Sequence, residues 1–151
     1  MGGRGRTQAQ GDLIKRDGSE DLHDTMSTEG RKMDKINLKE KMAKFSEHWS
    51  PKVIAEMNDY QFKLVKIKGD FVWHNHEETD EVFIVIEGKM KIDFGDETVE
   101  LNEGEMCVVP KGIEHKPFAE EECKIMLVEP RGVVNTGNTE GELTASNDDW
   151  I

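Results

Sequence analysis

Disulfide chemistry has almost nothing to work with in this chain. Its two cysteines, Cys107 and Cys123, make no disulfide framework and point to a reduced compartment. Long apolar runs are missing too. The longest are a few residues, too short to span a bilayer. The arginines near the N-terminus have no apolar stretch behind them, so a secretory signal is not expected. Positive charge is scarce: 20 Lys and Arg stand against 32 Asp and Glu, a net charge of -12. Arginines and lysines in residues 1–36 are matched by acids, so the excess negative charge falls on the remainder. Such a body repels phosphate backbones and anionic membranes, which argues against nucleic acid or membrane partners. Cytoplasmic residence is the expectation. Hydrophobic residues are also sparse, at 35%, so the core is small or part of the chain is unfolded.

That shortage is uneven. Residues 1–36 are rich in Gly, Ser, Thr, Asp and Gln, with isolated apolar residues and no periodicity. A disordered tail is expected there, either native or a leader. At 37–50 the character changes. Asn37 and Glu40 have capping-box spacing, and Leu38, Met42, Phe45 and Trp49 recur at helical intervals before Pro51. A short amphipathic helix is expected.

Residues 51–130 read as β-structure. Runs rich in Val, Ile and Phe alternate with turn signals such as Asn58-Asp59, Glu87-Gly88 and Gly95-Asp96. Strands are expected near 53–57, 60–67, 71–76, 81–87, 89–94, 98–101, 106–109, 116–119 and 123–129. Many short strands without an internal repeat indicate one all-β barrel. Residues 131–151 are polar and acidic until Trp150-Ile151, and should run along the surface with the terminal Trp docked on apolar residues.

Chemistry concentrates at four positions. His74 and His76, two apart on an expected strand, face the same side. Glu81 begins the next strand, and His115 follows Pro110-Lys111-Gly112. Three imidazoles and a carboxylate converging in a barrel would make a transition-metal site. A His-x-His pair alone is as readily surface decoration or packing, so the wider context decides.

That context resembles the cupin superfamily. Gly69 through Gly88, with His74, His76 and Glu81, is similar to the first cupin motif, G-(x)5-H-x-H-(x)3,4-E-(x)6-G. Gly104 through His115 is similar to the second, G-(x)5-P-x-G-(x)2-H-(x)3-N. Two positions depart from the patterns: Gly69 is one residue too close to His74, and Ala119 stands where Asn is usual. Neither is a ligand position. Residues 129–137 are similar to the tail of small single-domain cupins of the mannose-6-phosphate-isomerase-like group.

The resemblance implies a single jelly-roll β-barrel, with His74, His76, Glu81 and His115 as ligands of a divalent Mn, Fe, Ni, Zn or Co ion. Asp80 is the alternative carboxylate under the shorter spacing. Glu77, Glu78 and Asp80 otherwise form a solvated turn. An octahedral ion with four protein ligands keeps two positions for a small-molecule ligand.

Four functions remain open on sequence. One is a metal-dependent isomerase or lyase acting on a sugar-like or hydroxy- or keto-acid substrate. The others are an Fe-dependent dioxygenase, a non-catalytic metal- and ligand-binding module, and a metal-free barrel. The resemblance also implies a homodimer. The apolar interior is expected to include Phe62, Leu64, Phe83, Val85 and Met106. Cys107 is read as packing, and Phe71, Trp73 and Phe118 likewise. Lys111, Lys116 or Arg131 should reach the pocket if the substrate is an anion.

Overall fold

Strand pairing in the computed structural model, which describes residues 33–151, closes an antiparallel sheet into a barrel of the jelly-roll kind. Residues 1–32 of the expected disordered tail lie outside the described residues. The seven strands are β1 (Lys52–Met57), β2 (Tyr60–Asp70), β3 (Glu81–Glu87), β4 (Lys89–Asp93), β5 (Thr98–Asn102), β6 (Met106–Val109) and β7 (Lys116–Pro130). Their order is β1-β2-β7-β3-β6, and β4 joins β7 to β5.

Strand β7 organises the whole. Its C-terminal half lies between β2 and β3, and its first residues pair with β4. The sequence suggested two strands here. One continuous strand forms, and its register against β2 slips between the pairs Ile67–Cys123 and Gly69–Ala119. On β7 Glu120 to Glu122 stand against Lys68 alone on β2, and all three are exposed at this bulge. An extra residue bends a strand and increases its twist, which lets one strand serve both walls of a barrel.

The helix α1 runs only from Leu38 to Met42, shorter than the apolar spacing suggested. Asn37 caps it, its side chain accepting from the Glu40 backbone N–H at 3.1 Å, a contact worth about 1 kcal/mol. The apolar positions continue to be buried after the helix stops, because the chain turns onto the barrel. His48 bridges to Lys66, the Trp49 N–H donates to the Lys66 carbonyl at 2.9 Å, and Trp49 takes a positive φ of 58°. Burial, not helical continuity, explains why Phe45 and Trp49 are apolar.

Two apolar clusters follow from strand alternation. The barrel interior holds Val65, Ile67, Phe83, Val85, Ile125 and Leu127, with Trp49 and Phe71 at one end. Met42, Phe45, Ile54 and Leu64 form a second cluster, against which Phe62 and the terminal Ile151 pack. Phe83 and Val85 are interior as expected. Phe62 and Leu64 belong to the second cluster, and Met106 is 55% exposed on β6. A slip of one residue moves a side chain to the opposite face, and on β2 it is the odd-numbered set that points inward.

The C-terminal residues return to the barrel by backbone hydrogen bonds. The Val53 N–H donates to the Asp149 carbonyl at 2.7 Å, and the Ile151 N–H to the Val53 carbonyl at 3.2 Å. Trp150 remains 48% exposed, so it is Ile151 rather than the terminal Trp that packs on apolar residues. Among the described residues no helix is long and apolar enough to cross a membrane.

Candidate metal centre

Residues 71–76 were expected to form a strand. Only His74 makes a bridge, and the segment is otherwise extended chain without a ladder. Its backbone groups are satisfied elsewhere. His74 and His115 exchange both backbone hydrogen bonds, at 3.0 and 2.9 Å. The Gly112 N–H donates to the His76 carbonyl at 2.8 Å. The Phe71 N–H donates to the Pro117 carbonyl at 2.9 Å, and residues 138–139 of the C-terminal segment add three more bonds. The Asn75 N–H donates to Asn138 Oδ1 at 3.0 Å, the Asn138 N–H to the Asn75 carbonyl at 3.2 Å, and the Thr139 hydroxyl to the Trp73 carbonyl at 3.1 Å. The segment stays extended, and alternation still sends both imidazoles inward.

All four sequence-predicted residues come together. His74, His76, Glu81 and His115 are buried, and each offers one ligand atom within 4.8 Å of the others. The His74 and His115 rings are 4.3 Å apart between centroids, and His74 and His76 are 5.1 Å apart. His76 Nε2 lies 3.0 Å from Glu81 Oε2, and His115 Nε2 lies 3.6 Å from Glu81 Oε1.

The tautomers follow from the partners. His74 Nδ1 is 2.9 Å from the Val72 carbonyl, and His115 Nδ1 is 2.8 Å from the Ile113 carbonyl. A carbonyl can only accept, so Nδ1 carries the proton in both rings. Each Nε2 therefore presents a lone pair to the centre of the cluster, the outer-ring arrangement typical of metal-bound histidine.

Electrostatics agree. Burial, followed by the proximity of His115, pushes the His74 imidazole down to about 4, so it is neutral at pH 7. Burial pushes the Glu81 carboxyl up, but its close polar neighbours His115, His76 and Glu129 together outweigh it and hold Glu81 below the usual carboxylate range.

Two buried atoms test whether these residues fit an ion. His76 Nε2 and His115 Nε2 have no hydrogen-bond partner. An orphaned buried polar atom costs about 1–3 kcal/mol, and here two converge on one carboxylate. Neutral nitrogens with one carboxylate also form a donor set suited to a divalent transition ion. The residues fit.

Sequence reading missed two more residues. Lys63 on β2 and Glu129 on β7 are 4% and 1% exposed and pair at 2.8 Å inside the barrel. The Glu129 carboxyl meets that of Glu81. Burial, then the charge of Glu81, pushes Glu129 well above its ordinary value, against the opposing pull of Lys63. A signal existed: each is a charge at the inward parity of an otherwise apolar strand.

Beside the cluster, a cavity of about 30 Å³ is lined by His74 and Glu81 with Phe71, Phe83 and Leu127 among its apolar walls. That is room for about one water-sized molecule. A groove of about 340 Å³ reaches His76 between Asn75–Thr79 and Gly132–Asn138. The cations expected to reach the pocket line neither space. Lys116 lies 3.5 Å from Asp70, and Arg131 lies 2.8 Å from Glu56. Glu77 and Glu78 line the groove, while Asp80 accepts from the Lys111 N–H at 2.8 Å and is not in the cluster. Phe71 stacks on Trp49 at 4.5 Å and meets the edge of His74 at 5.3 Å. Cys107 is half-buried and Cys123 fully buried.

Known proteins share this arrangement of chain. A cupin domain family profile matches residues 63–129. The crystal structure of a cupin-2 domain containing protein from Shewanella frigidimarina NCIMB 400 is 64% identical, covering 64% of this chain and 94% of that one, with a TM-score of 0.63. This chain belongs to the cupin superfamily. Protein NMB1881 from Neisseria meningitidis is 41% identical, with 64% of this cupin and 99% of that chain covered and a TM-score of 0.60. The curated relative YdbB of Bacillus subtilis (strain 168), itself uncharacterised, is 41% identical over 80 residues. Those residues are 52% of this cupin, which spans 65% of the length of YdbB. Cupins typically bind a metal or a small molecule in the barrel, and the three histidines and one glutamate occupy that place here.

Proposed function

We propose that His74, His76, Glu81 and His115 hold one divalent transition ion, of the Mn, Fe, Ni, Zn or Co group, and that the protein is a metal-dependent enzyme of isomerase or lyase type acting on a small polar substrate. The observation that carries this reading is the pair of orphaned atoms, His76 Nε2 and His115 Nε2, aimed at Glu81 in a buried cluster. A bound ion would supply Lewis-acid polarisation of a substrate oxygen, or oxidative chemistry if it is iron. The chain's own residues do the rest. The Val72 and Ile113 carbonyls hold the ring protons on Nδ1 of His74 and His115. Apolar walls around Phe71 and Phe83 exclude bulk water. The groove at His76 admits substrate, with Asn75, Thr79, Asn138 and the carboxyls of Glu77 and Glu78 among its polar groups and no lysine or arginine among its lining residues. That lining favours a neutral sugar-like substrate over a hydroxy- or keto-acid.

A second reading, an Fe-dependent dioxygenase, is favoured by one observation. The apolar cavity beside His74 and Glu81 has the size of a diatomic or a water molecule. A non-catalytic ligand-binding module uses the same residues. Elemental analysis of purified protein, with His76→Ala alongside, tests the metal. Near-stoichiometric metal lost in the variant supports the site, and a metal-free wild type refutes it. Turnover of small sugars and acids, run with and without oxygen, then separates isomerase or lyase from dioxygenase. A ligand-induced thermal shift with no product identifies the binding module.

We assign the protein to the mannose-6-phosphate-isomerase-like group of small cupins on its residues 129–137. We further propose a cytoplasmic homodimer without nucleic-acid or membrane partners. The exposed Met106 and Val108 on edge strand β6 support the dimer, and sedimentation velocity tests it.

A further inference from the structure

Strand register places three polar groups in one inward-facing row. Val82 of β3 pairs with Val128 of β7, so the next pair along is Glu81 with Glu129. Glu129 in turn pairs with Gln61 of β2, one inward position from Lys63. The row crosses three adjacent strands from the candidate ligand Glu81 to the ammonium of Lys63.

Everything about this row is costly unless it serves the site. A buried ion pair repays its desolvation poorly, and apolar residues of similar volume are often as stable or more so. Neighbouring inward positions on the same strands are apolar: Val65 and Ile67 on β2, Ile125 and Leu127 on β7. The pair is also directed. Lys63 Nζ takes Glu129 Oε1 at 2.8 Å and reaches the Val133 carbonyl at 3.4 Å. Glu129 Oε2 is left buried without a hydrogen-bond partner, on the position opposite Glu81. On its other side, Glu81 meets His76 and His115.

We propose that Lys63 and Glu129 are positioning residues for the metal ligand Glu81, a strand-crossing buttress that fixes the orientation of its carboxylate toward the three imidazoles. The inference rests on the metal-centre reading. Lys63 anchors Glu129 from one wall and the 131–134 turn, and the strand register sets Glu129 opposite Glu81. Removal of this buttress frees the carboxylate to rotate, so the metal geometry loosens while the fold remains. Outer partners of metal ligands typically change affinity by about 10–100-fold.

The test uses Co²⁺ as the probe on the full chain. Measurements are affinity by chelator competition, the visible Co²⁺ spectrum, and the melting temperature of the metal-free protein. In the double variant Lys63→Met/Glu129→Leu, the metal-free melting temperature should equal or exceed wild type, while Co²⁺ affinity falls about 10–100-fold and the spectrum changes. Glu129→Gln keeps an acceptor for Lys63 and the same side-chain length opposite Glu81. It should stay within about 3-fold of wild type, far inside the usual outer-partner effect. An unchanged affinity and spectrum in the double variant overturn the proposal while leaving the metal centre standing. If wild type binds no Co²⁺, the metal-centre reading fails and takes the buttress with it. Should the double variant not fold, Lys63→Met alone must weaken Co²⁺ binding, and unaltered binding there also overturns the proposal.

Discussion

Replacing Gly137 by alanine isolates what the C-terminal segment does for the site. Gly137 has φ of 55°, and a Cβ there would fall on the Asn75 carbonyl oxygen and lie 3.2 Å from His74 Cδ2. Neither neighbour can yield cheaply, because Asn75 is held by Asn138 and His74 by His115. The left-handed conformation alone costs an L-residue about 1–2 kcal/mol. To relieve the overlap the segment must lift, breaking the two Asn75–Asn138 hydrogen bonds at about 1 kcal/mol each. The sum is about 3–4 kcal/mol. Gly132 provides the control. Its φ is 91°, with nothing within 4 Å of a Cβ, so Gly132→Ala should cost only the conformational part, about 1–2 kcal/mol. A gap of about 2 kcal/mol corresponds to roughly 4–8 °C in melting temperature for a chain of this size. Calorimetry of both variants without metal measures the gap, and Co²⁺ titration should show weaker binding in Gly137→Ala alone. Equal melting temperatures in the two variants would refute the claim that Gly137 bears on the histidine segment.

Further outcomes are expected from titration. Protein stripped of metal should lose stability as pH falls from about 6.5 toward 4. Burial holds folded His74 neutral down to about 4, while the unfolded chain takes up a proton near 6.5. The loss amounts to about 3 kcal/mol at most by linkage, and thermal scans in chelator against pH would read it. A flat profile over that range would contradict the buried neutral state. Both thiols are raised, Cys123 to about 11 by burial and then Glu87, and Cys107 by burial and then Glu97. Native protein at pH 8 should therefore react slowly with a disulfide reagent at Cys107 and not at Cys123, with both reacting after unfolding. Fast labelling of Cys123 in the folded state would overturn its placement in the core.

The four candidate positions were legible because metal chemistry restricts residue type and spacing together. His74, His76, Glu81 and His115 stood out through their resemblance to the two cupin motifs, and the structure brings the four side chains together. Strand existence was legible from Val, Ile and Phe runs, as at β3 and β6. What escaped depends on partners distant in sequence. The segment 71–76 alternates like a strand, yet its hydrogen bonds go to residues 112, 115, 138 and 139, so no ladder forms. The α1 spacing continued past its end because Phe45 and Trp49 are apolar for the barrel's sake, not the helix's. Inward parity on β2 was ambiguous because Phe62 and Leu64 are as apolar as Val65 and Ile67. Lys63, a charge at inward parity on β2, reads as a surface residue until Glu129, diagonal to it on β7, is known to pair with it.

The polar row inside the barrel also explains why the site and the fold pull in opposite directions. Without an ion, His76 Nε2 and His115 Nε2 are orphans, at about 1–3 kcal/mol each, and the Lys63–Glu129 pair adds a desolvation cost that apolar residues would avoid. Against a typical net stability of 5–15 kcal/mol, such a set is a heavy concession. Two things make it tolerable. Backbone carbonyls of Val72 and Ile113 fix two rings in one tautomer, and the interior around them is otherwise closely filled, with only about 30 Å³ open beside His74 and Glu81. A ligand that engages the orphaned nitrogens only in the folded state adds its binding free energy to folding. On the proposed metal-centre reading, the same concession that weakens the metal-free barrel supplies the affinity for a cation, and the metal-loaded protein should be the more stable form.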